Sequence, residues 1–578
     1  MKFPRGPLTV VGVLGAIGAY VTYKGPSLQP VQPASETRSL TTSAPLNTPT
    51  IPPAQTHDRK ALVVDNDQFY TGQIRGDGPL AKDTDDLGRK VLEMMTPEQA
   101  TERLRKNEQS YLVGRGRGVV RYDVVQLPSN DPIEDDHAEK IVEVPNTVAA
   151  TENNAPSSDW MFWGVFDGHS GWTTSAKLRQ VLISFAAREL NNTYKAALAN
   201  VKSPYPPPEA IDAALKSAFV KLDDEICNQS VERVLKDSSK RLGVELLAPA
   251  LSGSCALLSF YDSSSKTLRV ACTGDSRAVL GRFNAKSQRW SATPLSEDQT
   301  GSNPNEEARM REEHPGEEYV IHRGRVLGNL EPTRAFGDAS YKWTKEVQER
   351  IRSSFFGRTP NTLLKTPPYV TAEPVVTTTK IQPERGDFVV LATDGLWEML
   401  TNEEVVGLVG QWIEQQNPEA AAKKASNTSA WLSSWFSSSG QKPVQLPVDK
   451  GGNMDKSGRV QPPTPADAKK ATKEPNKADT PLRQQQWNIA DPENPERFVN
   501  EDNNAATHLV RNALGGKDRD MVCALLTLPS PYSRRYRDDL TVEVIFFGEG
   551  ENGDGVVRVN EAASSPPIQG PTNLRAKL

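Results

Sequence analysis

Carboxylates stand where apolar runs end in this chain. "MFWGVFDGHSG" (161–171) is built for burial up to Phe166 and then breaks into Asp167-Gly168-His169; "DFVVLATDGLWEML" (387–400) repeats the design at Asp394-Gly395. "RYRDDLTVEVIFFG" (535–548) inverts it, with Asp538 and Asp539 opening a strand of clear alternation. A single Asp-Gly step is an ordinary turn. Recurring at strand ends, and joined by Glu134 and Asp135 of "SNDPIEDDHAEK", these residues read as one acidic cluster drawn from distant parts of the chain. Burying so many carboxylates unpaired costs several kcal/mol per ion, so cations are the expected partners.

Oxygen ligands without cysteine or histidine company suit a hard ion, Mg²⁺ or Mn²⁺. Two such ions about 4 Å apart activate a water for in-line attack on phosphorus and neutralise the phosphate oxygens. Gly168 lacks a side chain, which lets its carbonyl approach a metal. His169, with an unperturbed pKa of about 6.5, is the candidate general acid for a leaving alkoxide. Alone, neither an Asp-Gly turn nor a single histidine carries this chemistry; the conjunction does.

The elements that must hold these residues are legible in part. "TPEQATERLRKNEQ" (96–109) reads as a helix, with Thr96 as N-cap, Pro97 at the first position and Gln99 closing a capping box. Strand signals come next in "GVVRYDVVQL", and residues 174–195 and 208–235 carry apolar positions at helical spacing. Residues 252–283 read as a three-stranded meander turning at "DSSSK" and at Gly274-Asp275. Thr401 and Glu404 box the start of a helix over 401–416, and "NNAATHLVRNALGG" (503–516) is another helix before the final strand. Strands and helices in this order predict mixed α and β with antiparallel sheets, not a Rossmann alternation. No G-x-x-x-x-G-K-[ST] is present, which removes the P-loop reading.

Composition narrows the partners. The net charge is −5 over 578 residues and no dense Lys/Arg block occurs, so nucleic acid is not an expected partner. The 4 cysteines are scattered without paired spacing, which argues against a zinc ribbon or a disulfide framework. At the start, "GPLTVVGVLGAIGAYVTY" (6–23) is uncharged and no acidic residue precedes Glu36. With the Ser/Thr/Pro-rich stretch to residue 55 this is a targeting region, open as a secretory signal or a mitochondrial presequence with a sorting segment or membrane anchor. Residues 56–95 are expected to be an irregular lead-in, 96–550 the globular domain with a disordered insertion at about 418–485, and 551–578 a flexible tail.

"VFDGHSG", "GDSRAVLG", "RAFGDASYKW", "VLATDGLWEML" and "RDDLTVEV", in that order, resemble the metal-dependent PPM family of type 2C serine/threonine protein phosphatases. The resemblance implies an α+β fold: a four-layer αββα sandwich with two central antiparallel sheets and a dinuclear Mg²⁺ or Mn²⁺ site between them. It makes Asp167 the bridging ligand and the Gly168 carbonyl a further one. Glu134, Asp394 and Asp538 complete the set, Asp135 acts through water, and His169 is the general acid. Asp275 matches the position that, with Asp394, holds a weaker third metal in some members; its other reading is a turn residue.

Departures refine the resemblance. The family's phosphate-holding arginine four residues before the Glu-Asp pair is Asn130 here, and the second glycine of Asp-Gly-His-Gly-Gly is Ser170. Arg117 or Arg121 would have to substitute for the arginine; Asn130 and Arg334 are the candidate substrate contacts. "LPSNDPIED" and "DNNAATHLVRNALGG" resemble the pyruvate dehydrogenase phosphatase branch, where asparagine occupies this place. That branch implies a mitochondrial address and hydrolysis of phosphoserine on the E1 α subunit of the pyruvate dehydrogenase complex. The alternatives are a mitochondrial or secretory-pathway type 2C phosphatase acting on another phosphoprotein, and a catalytically inactive adaptor that keeps the fold.

Overall fold

The run before Asp167 lacks polar alternation because its strand is buried on both faces. In Ser158–Phe166, Trp160, Phe162 and Phe166 join a core against helices, while Met161, Trp163 and Val165 point the other way into a core between two sheets. Phe388–Ala392 behaves alike: Phe388, Val390 and Ala392 face helices, and Val389 and Leu391 face the inter-sheet core. Each fully buried Leu or Phe contributes roughly 1.5–3 kcal/mol, so these strands are rigid mounts for the carboxylates at their ends.

The structure, a computed structural model, describes residues 59–416, 448–450, 495–549 and 555–566, apart from short stretches at 66–67, 75–79, 81–82, 145–156, 200–204 and 238. The inner sheets are the expected pair. One has the strand order Val375–Lys380, Thr267–Thr273, Ala256–Asp262, Ser158–Phe166, Asp136–Val144, all antiparallel. The other runs Val448–Lys450, Arg289–Pro294, Arg277–Asn284, Phe388–Ala392, Leu540–Phe547, Val119–Leu127, Gln109–Val113, Val557–Val559. Helices Thr173–Leu198 and Pro208–Asp224 cover the first sheet; Pro97–Arg105, Asn402–Gln416, Ala505–Leu514 and Arg519–Thr527 cover the second. The result is the four-layer αββα sandwich.

Capping chemistry sets the helix starts as read. The Thr96 Oγ1 accepts from the Gln99 backbone N–H at 3.3 Å and the Gln99 side chain accepts from the Thr96 N–H at 3.0 Å. Thr401 and Glu404 make the same reciprocal pair at 3.2 and 3.0 Å. The first of these helices stops at Arg105, because Gln109 already begins a strand. The helix from Pro208 runs through a π turn at Glu225–Gln229 into Ser230–Asp237.

Three expectations are corrected. The meander does not close: Arg277–Asn284 pairs with Arg289–Pro294 and Phe388–Ala392 in the second sheet, so Gly274-Asp275 is the crossing between sheets. Gly274 has φ +107, and a Cβ there would stand 2.3 Å from the Cys255 Sγ, so the crossing requires glycine. The lead-in carries a three-stranded antiparallel sheet, Lys60–Asp65 between Gln68–Gln73 and Lys90–Glu93, with Leu62 in the core. Part of the tail, Val557–Val559, pairs with Gln109–Val113. Of the insertion at 418–485, only Val448–Lys450 falls within the described residues, as a parallel edge strand. No helix among the described residues is long and apolar enough to cross a membrane; residues 6–23 lie outside them.

A buried histidine makes the second sheet's cover pH-sensitive. His508, fully buried in Ala505–Leu514, faces the Leu408 carbonyl through Nε2 at 3.2 Å, and burial pushes its pKa down to about 4. The folded pKa lies below the unfolded one. The neutral ring's contribution is therefore complete above about pH 6.5 and is lost as pH falls toward 4, on the order of 3 kcal/mol. Urea unfolding in EDTA across pH 7 to 4.5 is expected to show this loss as a difference between the parent and His508→Gln; parallel pH profiles for the two would refute it.

Candidate metal centre

The strand ends that carry the carboxylates meet at one end of the sandwich. Asp136 pairs with Phe166 and Leu257 with Val165 in the first sheet; Arg277 pairs with Ala392 and Ala392 with Val542 in the second. Residues just past these positions therefore converge. One carboxylate oxygen from each of Asp167, Asp275 and Asp394 lies within 4.8 Å of the others. Asp275 is thus a member of the cluster and not a plain turn residue, and its Oδ1 accepts from the Cys255 thiol at 3.1 Å.

Asp135 is locked at the floor. Its Oδ2 accepts from the hydroxyls of Thr393 at 2.9 Å and Thr541 at 2.8 Å, which tie the two inner strands of the second sheet to the loop of the first. Glu134 is held by its ends: Oε1 accepts from the Gly171 N–H at 2.6 Å, and its own N–H donates to Asp539 Oδ2 at 2.9 Å. Asp539 also accepts from the N–H groups of Ser129 at 2.5 Å and Asn130 at 2.9 Å. This one carboxylate shapes the whole Ser129–Glu134 loop. The Asn130 side-chain amide faces Asp539 at 3.3 Å and Glu134 at 3.4 Å, so it lies inside the acidic loop as a neutral donor.

Both Asp-Gly steps need their glycine for the same reason. A Cβ on Gly168 would stand 2.0 Å from the Glu134 carbonyl oxygen, and one on Gly395 would stand 2.2 Å from that of Asp539. A neighbouring loop's backbone is packed flat against each.

Burial sets the electrostatics. Desolvation, reinforced by the neighbouring carboxylates, pushes Asp135, Asp167 and Asp394 well above the usual carboxylate range. Burial raises Asp275 to about 6, and raises Asp538 to about 6 against the pull of Arg534. The Asp394 Oδ1 is buried with no hydrogen-bond partner. An orphaned carboxylate oxygen among repelling neighbours is a misfit for the bare protein and a fit for a divalent cation.

His169 stands beside this set, its Nε2 2.6 Å from the Asp338 Oδ2. Burial opposes the imidazolium, yet Asp338, with Asp275 and Glu134, lifts its pKa above the usual value. Asp338 holds a left-handed backbone at φ +47, and a Cβ on Gly253 would press within 2.1 Å of the His169 Nε2 and 2.3 Å of the Asp338 Oδ2. The pair is closely packed by its surroundings.

The arginines expected at the substrate are engaged with other partners. Arg334 is committed to Glu306 at 2.8 and 3.0 Å and to the Glu373 carbonyl at 2.8 Å, because a buried Glu306 needs the cation. Arg121 is forked onto Asp123, and Arg117 donates to Ser157; neither pairs with a site carboxylate. Sequence reasoning missed Asp338, Glu398 and Arg534, and gave Asp539 a place in the acidic cluster but not its role in holding the Ser129–Glu134 loop. Glu398 stands one helical turn after Asp394, and burial beside Asp538 raises it to about 7. Its i, i+4 spacing in "DGLWE" was the available signal. Arg534 pairs with the Asp538 Oδ2 from one turn earlier.

A second group lies deeper between the sheets. The His137 Nδ1 is 2.5 Å from Glu139 and 3.9 Å from Glu543. Burial holds the Glu543 carboxyl well above the usual range, while His137 draws the half-buried Glu139 below it against burial.

Comparison with known proteins agrees with this geometry. The family model described as protein phosphatase 2C matches residues 139–430. A protein phosphatase 2C homolog of Schizosaccharomyces pombe is 40% identical over 450 residues, covering 78% of this chain and 85% of its own. The mitochondrial pyruvate dehydrogenase [acetyl-transferring]-phosphatase 1 of Saccharomyces cerevisiae is 40% identical over 480 residues, 80% of this chain and 76% of its own. The human protein of that name is 30% identical over 517 residues, 78% and 83% of the two chains. The chain belongs to the protein phosphatase 2C family, whose members are Mg²⁺- or Mn²⁺-dependent, in its pyruvate dehydrogenase phosphatase branch. It is a protein phosphatase, a hydrolase of phosphoric monoesters.

Proposed function

We propose that the protein dephosphorylates phosphoserine on the E1 α subunit of the pyruvate dehydrogenase complex in mitochondria, using two divalent ions with Asp275 open to a third. The observation that carries this reading is the converged carboxylate set, in a chain 40% identical to a mitochondrial pyruvate dehydrogenase phosphatase over 480 residues. Asp167, Asp394, Asp538, Glu134 and the Gly168 carbonyl would hold the ions, with Asp135 behind them. Bound there, Mg²⁺ or Mn²⁺ supplies Lewis-acid neutralisation of the phosphate and lowers the pKa of water.

The chain's own residues do the rest. Thr393 and Thr541 fix Asp135, and Asp539 fixes the loop that carries Glu134, so the ligand oxygens are preorganised. As water oxygen bonds to phosphorus, the bond from phosphorus to the seryl oxygen breaks, and the His169 imidazolium gives that oxygen its proton. Asp338 holds the ring for the transfer and stabilises its charged form.

The test is hydrolysis of a phosphoserine peptide from E1 α by the full chain with Mn²⁺, alongside p-nitrophenyl phosphate. Hydrolysis that EDTA abolishes is expected. His169→Ala should slow the seryl ester by roughly 10² and p-nitrophenyl phosphate far less, since p-nitrophenolate needs little protonation. EDTA-insensitive hydrolysis would overturn the metal reading, and equal losses on both esters would overturn the acid role.

A further inference from the structure

We propose that Arg534 is the phosphate-binding arginine of this enzyme, supplied by the loop joined to the one in which Asn130 is neutral. The inference rests on the phosphatase reading and adds a substrate contact to it. Among the described residues, Arg534 is the arginine in ion-pair contact with a site carboxylate, Asp538. Its charge also acts on Glu134, Asp167, Asp394 and Glu398. The side chain is 49% exposed, which leaves guanidinium donors open to a ligand.

The backbone delivers it to the right place. Arg534 lies in the turn Ser533–Arg535, and the neighbouring Ser533 hydroxyl donates to the carbonyl of Ser129, the residue before Asn130. Asp539, five residues on, binds the N–H groups of Ser129, Asn130 and Glu134. The two loops are therefore bolted together, with Arg534 on one and Asn130 on the other.

Charge makes the need explicit. Glu134, Asp135, Asp167, Asp275, Asp394, Glu398 and Asp538 outnumber the four positive charges of two divalent ions. A phosphate dianion entering such a site gains from a forked cation, and Asn130 cannot supply one. Arg334, Arg121 and Arg537 are already committed, the last to the Pro128 carbonyl at 2.8 Å. With Asp538 engaged by a divalent ion, the Arg534 fork would be free to turn to phosphate.

The test uses p-nitrophenyl phosphate, with inorganic phosphate as competitive product inhibitor, at saturating Mn²⁺. Arg534→Ala is expected to raise both KM and the phosphate inhibition constant by about 10- to 100-fold, with a smaller fall in kcat. The Mn²⁺ activation midpoint should stay or fall, because a competitor for Asp538 has gone. Should the alanine variant lower the thermal midpoint, Arg534→Gln keeps the length and removes the charge, and the same shifts are expected. Asn130→Arg placed on Arg534→Ala should recover phosphate inhibition. A KM and inhibition constant within twofold of the parent, or a loss that disappears when Mn²⁺ is raised, would overturn the assignment. A parent enzyme that cleaves p-nitrophenyl phosphate but not the E1 α peptide would overturn the substrate named above while leaving this test intact.

Discussion

Asp167→Asn is expected to abolish turnover while making the metal-free protein more heat-stable. The carboxylate sits at the centre of the cluster, near Asp275 and Asp394, and its neighbours and burial hold it well above the usual range. Removing its charge relieves a repulsion that only a cation otherwise relieves, which is worth about 1–2 kcal/mol in EDTA, or about 2–4 °C for a domain of this size. The same change deletes the proposed bridging ligand, and hydrolysis of a phosphoserine peptide should fall by roughly 10³ or more. Opposite signs in the two readouts separate a site residue from a scaffold residue. A variant that loses stability and activity together, or keeps its activity, would refute the assignment.

Gly168→Ala should be nearly as damaging by a different route. Its Cβ would stand 2.0 Å from the Glu134 oxygen, 2.8 Å from the Glu134 carbonyl carbon and 2.9 Å from the Ser175 Oγ. The Glu134 loop has little room to yield, because Asp539 holds three of its N–H groups and Ser175 donates to the same carbonyl. The strain is expected to cost about 1–3 kcal/mol of stability and to displace a ligand. Activity should drop by roughly 10² with a raised Mn²⁺ activation midpoint, measured by titrating the metal at fixed substrate. An unchanged midpoint would mean that the loop moves freely.

The site was legible to the extent that chemistry is written at strand ends. Asp167, Asp394 and Asp538 declare themselves because each interrupts an apolar run at a point where burial demands an explanation. The helix caps at Thr96 and Thr401 were legible because both partners lie within four residues. The loop-holding role of Asp539 was not, since its bond to Ser129 spans 410 positions and nothing in either neighbourhood marks that pairing. Arg534 reads locally as one of several arginines before an Asp pair; only the fold selects it from Arg535 and Arg537. The crossing at Gly274-Asp275 was missed because a turn between two strands looks the same whether they pair or part. The Lys60–Glu93 sheet was missed because its strands are short and only half-buried.

The placement of Leu540–Phe547 bears on the order in which the molecule is made. This strand lies between Phe388–Ala392 and Val119–Leu127, and it comes directly after the Asp538-Asp539 pair that supplies one carboxylate and organises the loop of another. A chain still being synthesised, or cut before residue 538, lacks at once the middle strand of its second sheet, Asp538, and the Asp539 carboxylate that holds the Glu134 loop. A chain cut there is therefore expected to show no phosphatase activity on p-nitrophenyl phosphate.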